Sequence, residues 1–222
     1  SSGSKAEAES WLSTVNDGRV VVSDEIVYAW QEIKSIWTTV KKSPARLIAD
    51  QYWEKGLSMK NFSVASSMWK FALTGLTQPK AEFADLMDKK NKDLFPCLDN
   101  EGNESVVELR TGNIRARKRS DMFSFGSKAK YLKQEQRNQQ LMAELINVLN
   151  QIACDDKDWL TTFQNIVGYS FTGETFAQRF FMWIGKSGGN GKGMLSRSIS
   201  DMLCAMFVAI KKSVIINNET TL

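Results

Sequence analysis

Apolar residues recur at helical spacing through most of the first 90 positions. Behind Asp24, a residue able to cap a helix, Ile26, Val27, Trp30, Ile33, Trp37 and Val40 fall three and four apart, which predicts a first helix. Ser43-Pro44 starts a second, with proline in the first turn, Leu47, Ile48, Tyr52 and Trp53 facing inward, and Gly56 at its end. A third is predicted over about 58–73, with Phe62, Ala65, Met68, Trp69 and Ala72 along one stripe. A fourth follows Pro79 and carries Phe83, Leu86 and Met87.

The pattern shortens at Leu94. The runs LFPCL and ESVVEL are separated by a turn rich in Asp, Asn and Gly, and Thr111-Gly112-Asn113 makes a second turn before IRARKRS. This predicts a small antiparallel β-meander whose last strand aligns Arg115, Arg117 and Arg119 on one face by its period of two. Helical spacing returns in Leu141, Leu145, Leu149 and Ile152, read as a buried stripe. Asp155 or Asp156 then caps a helix with Trp159, Leu160, Phe163 and Ile166 inside and Gly168 at its end. An apolar run over 180–184, read as a strand, leads into a glycine-rich loop. Beyond the loop Met194, Leu195, Ile199, Met202, Leu203 and Met206 form the apolar side of a further helix, and FVAI and SVII read as more strand material.

The expected fold is therefore mainly α with a small antiparallel β-meander (α+β), followed by the beginning of an α/β P-loop domain. The segments run from a linker and polar lead-in over 1–23, through a helical subdomain over 24–92, to the meander and its basic loop over 93–132. A helical region over 133–175 and the start of the P-loop domain over 176–222 complete the chain.

Composition narrows the class. The 222 residues are 42% apolar, ample for a packed core, and no apolar run reaches the roughly 20 residues of a membrane span. A soluble, cytoplasmic protein without a membrane partner is expected. The three cysteines stand far apart in no metal-binding spacing, and histidine is absent, so no metal site is read from protein ligands and carboxylates and lysine must carry any chemistry. Five of seven tryptophans precede residue 70. They offer either a base-stacking surface or, by their helical spacing, core.

Net charge is only +4, yet nine basic residues against two acidic ones lie between positions 110 and 137. Arg115, Arg117, Lys118, Arg119, Lys128 and Lys130 are the candidates for a nucleic-acid contact, the alternative being a solvated basic face.

Residues 180–199, FFMWIGKSGGNGKGMLSRSI, carry the most specific chemistry. A glycine loop turning into a helix leaves backbone N–H groups aimed at a hollow at the positive end of the helix dipole, which suits a phosphate. Gly185, Ser187, Gly188, Gly189, Asn190, Gly191, Lys192 and Gly193 are the candidate nucleotide-binding residues. The Lys192 ammonium is the candidate catalytic group, placed to reach the outer phosphates of a nucleoside triphosphate.

Two blocks in this order resemble one family. The run DWLTTFQNIVGYSFTGETFAQRFFMWIGKSGGNGKG is similar to the junction in viral, phage and plasmid primase-helicases of superfamily 3, including the poxvirus type. Gly168-Tyr169, Thr172-Gly173, Gln178 and Gly188-Gly189-Asn190-Gly191-Lys192 match its pattern. NESVVELRTGNIRARKRSDMFS resembles the short β segment upstream in that family, through Asn103, Leu109, Thr111, Gly112 and Asp121. The resemblance covers roughly 100–205. It implies the domain preceding an AAA+ helicase motor together with the first part of that motor. By the same resemblance the cofactors are ATP and Mg²⁺, the partner is single-stranded or forked DNA, and the intact protein self-associates into a ring, a hexamer in the family.

Three departures qualify it. Gly193 stands where the family has a Ser or Thr ligand for Mg²⁺, leaving Ser196 as a distant alternative. The first loop glycine is Gly185, one residue before the expected position, Lys186. No acidic strand or arginine finger is found after Met206, so a fragment inactive by itself is expected. The competing reading is a binding and oligomerisation module with a degenerate loop. A small-molecule kinase is disfavoured by the long stretch that precedes the loop.

Overall fold

A computed structural model describes residues 2–57, 62–184 and 189–209. The fold is mixed α+β, with six α-helices and two three-stranded antiparallel sheets among the described residues. The chain divides into two compact units, Ser1–Lys90 with Lys118–Ser124, and Asn91–Arg117 with Phe125–Leu222.

Ala8, Trp11, Leu12 and Val15 recur at i, i+3, i+4 and i+7, and in the first unit this stripe is core. Helix α1 (Ser2–Ser10) runs into a wider turn over Trp11–Asn16, and Trp11 is fully buried. The expected polar lead-in is thus a packed helix. It lies with α2 (Pro44–Glu54) and α3 (Phe62–Leu76) in one apolar cluster containing Ile48, Ala65, Met68 and Ala72.

The helix predicted behind Asp24 is a sheet instead. Strands β1 (Val20–Ser23), β2 (Ile26–Gln31) and β3 (Ile36–Thr39) pair in chain order. Asp24 and Glu25, at φ 53° and 63°, form the two-residue turn that a tight hairpin requires, so Asp24 closes a turn rather than capping a helix. Both faces of the sheet are covered. Val20, Val22, Val27 and Ala29 face the helical cluster, while Val21, Tyr28, Trp30 and Trp37 face Phe83, Leu86, Met87 and Met122. Burial on two sides replaces polar alternation with continuous β-branched and aromatic runs, whose spacing mimics a helix. Ile33, assigned to the inner stripe, is 93% exposed in the β2–β3 turn.

Helix α2 begins at Pro44 after Ser43 and ends beside Gly56 at φ 70°, as the sequence predicts. Trp53 departs from expectation, projecting outward with 81% of its surface exposed. Beyond Pro79 only the short turn Lys80–Glu82 and further turns form. Phe83 is nevertheless core, in edge contact with Trp37 at 5.0 Å between ring centroids.

In the second unit the predicted meander is present as β4 (Leu94–Leu98), β5 (Glu104–Glu108) and β6 (Ile114–Ala116). Asp99 shapes the β4–β5 turn: its carboxylate accepts from the Asn103 side-chain amide and from the backbone N–H of Asn103, Gly102 and Glu101, and these bonds hold its pKa low. One sheet face, with Phe95, Cys97 and Val107, packs against Leu203 and the half-buried Phe171, Ile199 and Phe207. Helices α4 (Gln139–Ala153) and α5 (Lys157–Phe171) meet at a tight corner where Cys154 and Asp155 take positive φ. Asp156 is the residue that caps α5, accepting from the N–H groups of Asp158 and Trp159. The expected buried stripe of α4 is open at its start, where Leu141 and Leu145 are exposed, and α5 continues past Gly168 to Phe171. Residues 180–184 form no strand, having no hydrogen-bonded neighbour strand among the described residues, and Phe180, Met182 and Ile184 are exposed. Helix α6 (Lys192–Leu203) follows the glycine loop as predicted. Residues 207–209 form no strand, and SVII lies outside the described residues.

Candidate functional site

Helix α6 is fixed at its far end before its near end becomes chemically interesting. Leu195 and Leu203 are buried, and the Ser127 hydroxyl donates to the Met202 carbonyl, tying the helix to the loop beside β4. Its start is set by Gly191 at φ 72°, a left-handed backbone that disfavours a side chain. A Cβ at Gly191 would also lie 2.7 Å from Ile152 Cδ1 of α4. Glycine is therefore required there twice, by backbone and by packing.

Gly189, also at positive φ, Asn190, Gly191, Lys192 and Gly193 are brought together around the first turn of α6. Gly185, Ser187 and Gly188 lie outside the described residues. The first turn of a helix leaves N–H groups without intrahelical acceptors, and this one contains no acidic residue. The half-buried Lys192 ammonium donates to Asn190 Oδ1 at 2.7 Å. That end of the helix is accordingly cationic, with a lysine side chain folded back over the loop. A Cβ on Gly193 would meet nothing within 4 Å, so a larger residue fits there. Ser196, a turn further on, lines a cavity of about 270 Å³ with Ile166, Phe181, Trp183 and Ile199. These residues suit the phosphates of a nucleotide. They provide no hydroxyl next to Lys192 for a divalent cation, and no group of three or more acidic or cysteine side chains among the described residues could hold one.

The basic candidates are divided between the two units. Arg115 is exposed on β6, whereas the Arg117 side chain is fully enclosed, paired with Glu104 at 2.8 Å and donating to the carbonyls of Ser105 and Phe125. Gly126 permits this, since a Cβ there would sit 2.9 Å from the Arg117 guanidinium. Lys128 and Lys130 are exposed on the following loop, with Lys130 donating to the Asn100 carbonyl. Lys118 and Arg119 belong to the first unit, where Arg119 bonds Asp17 and its carbonyl accepts from the Trp37 indole. The last strand ends at Ala116, so the three arginines do not share a strand face.

A cleft of about 750 Å³, outside all the candidates predicted from sequence, lies between α2 and the β2–β3 hairpin and holds the Arg19–Glu54 ion pair. Buried Gln51 lines it, with a side-chain oxygen that has no donor among the described residues. The polar face of α2, Asp50, Gln51 and Glu54, was the available signal. No protein-family model matches the chain, and no curated protein does so either.

Proposed function

We propose that this chain is part of an ATP-driven DNA helicase, with residues 189–193 contributing to its nucleotide site. The observation that carries the reading is the junction of Gly191 and α6: a left-handed glycine, a helix start free of acid, and the Lys192 ammonium over the loop. In this role Lys192 and the first-turn N–H groups bind the outer phosphates of ATP and offset the charge that develops on them during transfer. If Mg²⁺ accompanies the nucleotide it would supply positive charge against the phosphates, and Gly193 would contribute no side-chain oxygen to hold it. The basic loop residues Lys128 and Lys130, with Arg115, face DNA, and ring assembly completes the site from a neighbouring subunit. In the protein as its gene encodes it, Lys192→Ala abolishes DNA-stimulated ATP hydrolysis and strand separation together. An unsubstituted protein without DNA-stimulated hydrolysis overturns the helicase reading.

Gly193 favours a second reading, a module that binds nucleotide or DNA without hydrolysis. Under it, ATP binds and Lys192→Ala weakens binding, but turnover stays at background with or without DNA.

A further inference from the structure

Asn190-Gly191 is the one Asn-Gly pair in the 222 residues. A glycine after asparagine leaves the following backbone nitrogen unobstructed, so that nitrogen can attack the asparagine side chain. Lys192 adds a second element. Its Nζ lies 2.7 Å from Asn190 Oδ1. Since an ammonium only donates, it is the side-chain oxygen that faces it. The amide nitrogen is thereby directed away as the leaving group.

We propose that Asn190 is a self-modifying position at which Lys192 promotes deamidation. The Gly191 nitrogen gives its proton to solvent and bonds to Asn190 Cγ. The tetrahedral carbon that forms carries negative charge on Oδ1, against the Lys192 ammonium, in the manner of an oxyanion hole. The Cγ–Nδ2 bond then breaks, and the nitrogen takes a proton from water and departs as ammonia. Water opens the resulting five-membered ring at Cγ to give aspartate, or at the Asn190 backbone carbonyl carbon to give isoaspartate. No oxidant or cofactor enters. The product places a carboxylate beside Lys192 at the start of α6, where it neutralises the cation and repels other anions. The last consequence rests on the nucleotide reading above; the chemistry does not.

The test is peptide mass spectrometry of the native chain, with isoaspartate detected enzymatically, over a prolonged incubation. Wild type accumulates both products at residue 190. Lys192→Ala slows this about tenfold, less than the roughly hundredfold of a buried oxyanion donor because the site is half open to water. Lys192→Arg retains most of the rate. Circular dichroism establishes that each variant keeps its helices. Equal rates in wild type and Lys192→Ala overturn the proposal, as does an unmodified native chain when the urea-unfolded chain has converted. ATP titration of the same samples separates the two ideas: if residue 190 deamidates in a Lys192-dependent way but the unmodified wild type binds no ATP, the nucleotide reading fails and the self-modification stands.

Discussion

Cys97 is buried and Cys154 is exposed. Cys97 sits in β4 beneath Phe95, Val107 and Leu203, and burial pushes its thiol up to about 11, with the Arg117 charge opposing weakly. Cys154 is exposed at the α4–α5 corner. Only the thiolate is nucleophilic, so at mildly alkaline pH iodoacetamide labels Cys154 in the native chain and spares Cys97 until the chain is unfolded. Equal labelling of both in the native state contradicts this packing. At this scale the sequence shows residue types but not their surroundings. Glycines illustrate the limit. Gly191 and Gly193 look alike in GNGKG, yet one is held by φ and by Ile152 while the other faces open space. The difference arises from α4, some forty residues earlier, and no local pattern contains it.

Two helix starts agree closely between sequence and structure. Ser43-Pro44 and Asp156 mark helix starts because capping chemistry is local: an oxygen or a fixed φ satisfies needs within one turn. Which face a helix buries depends on what arrives from elsewhere. Trp11 and Trp53 make the point. Trp11, in the stretch assigned to a polar lead-in, is fully enclosed by three helices and a sheet, whereas Trp53, assigned to the core, is exposed. Trp11→Ala is expected to destabilise the chain by about 3–5 kcal/mol and Trp53→Ala by less than about 0.5 kcal/mol, measured by denaturant unfolding. Similar losses for both would contradict the assignment of α1 to the core. The sheet β1–β3 was hidden for a related reason. With both faces covered it has no polar alternation, and its turn, Asp24-Glu25, reads as readily as a helix cap. The apolar run over 180–184 shows the reverse case: composition suited to a strand, without a hydrogen-bonding neighbour strand among the described residues.

Taken as a whole molecule, the chain contributes to its two units unevenly. It leaves the second unit at Arg117, supplies seven residues to the first, and returns after Ser124. Those seven residues are held in place: Met122 enters the aromatic core, Asp88 caps Ser124, and the Phe123 carbonyl accepts from the Trp37 backbone. This routing assigns Lys118 and Arg119 to the first unit, although a linear charge count joins all six basic candidates into one run. Four of the six remain in the second unit, and one of those, Arg117, is committed to Glu104. Among the described residues no helix is long and apolar enough to cross a membrane. The start of α6 is where sequence motif and local geometry coincide, and the functional account depends on it. Its most direct test is titration of the 222-residue chain with fluorescent ATP, with and without Mg²⁺, for wild type, Lys192→Ala and Gly193→Ser. The account predicts saturable binding, weakened at least about tenfold by Lys192→Ala through loss of a charge-assisted phosphate contact. It also predicts that Gly193→Ser, which the open space accommodates, increases the dependence on Mg²⁺. Binding that is absent, or identical in wild type and Lys192→Ala, contradicts it.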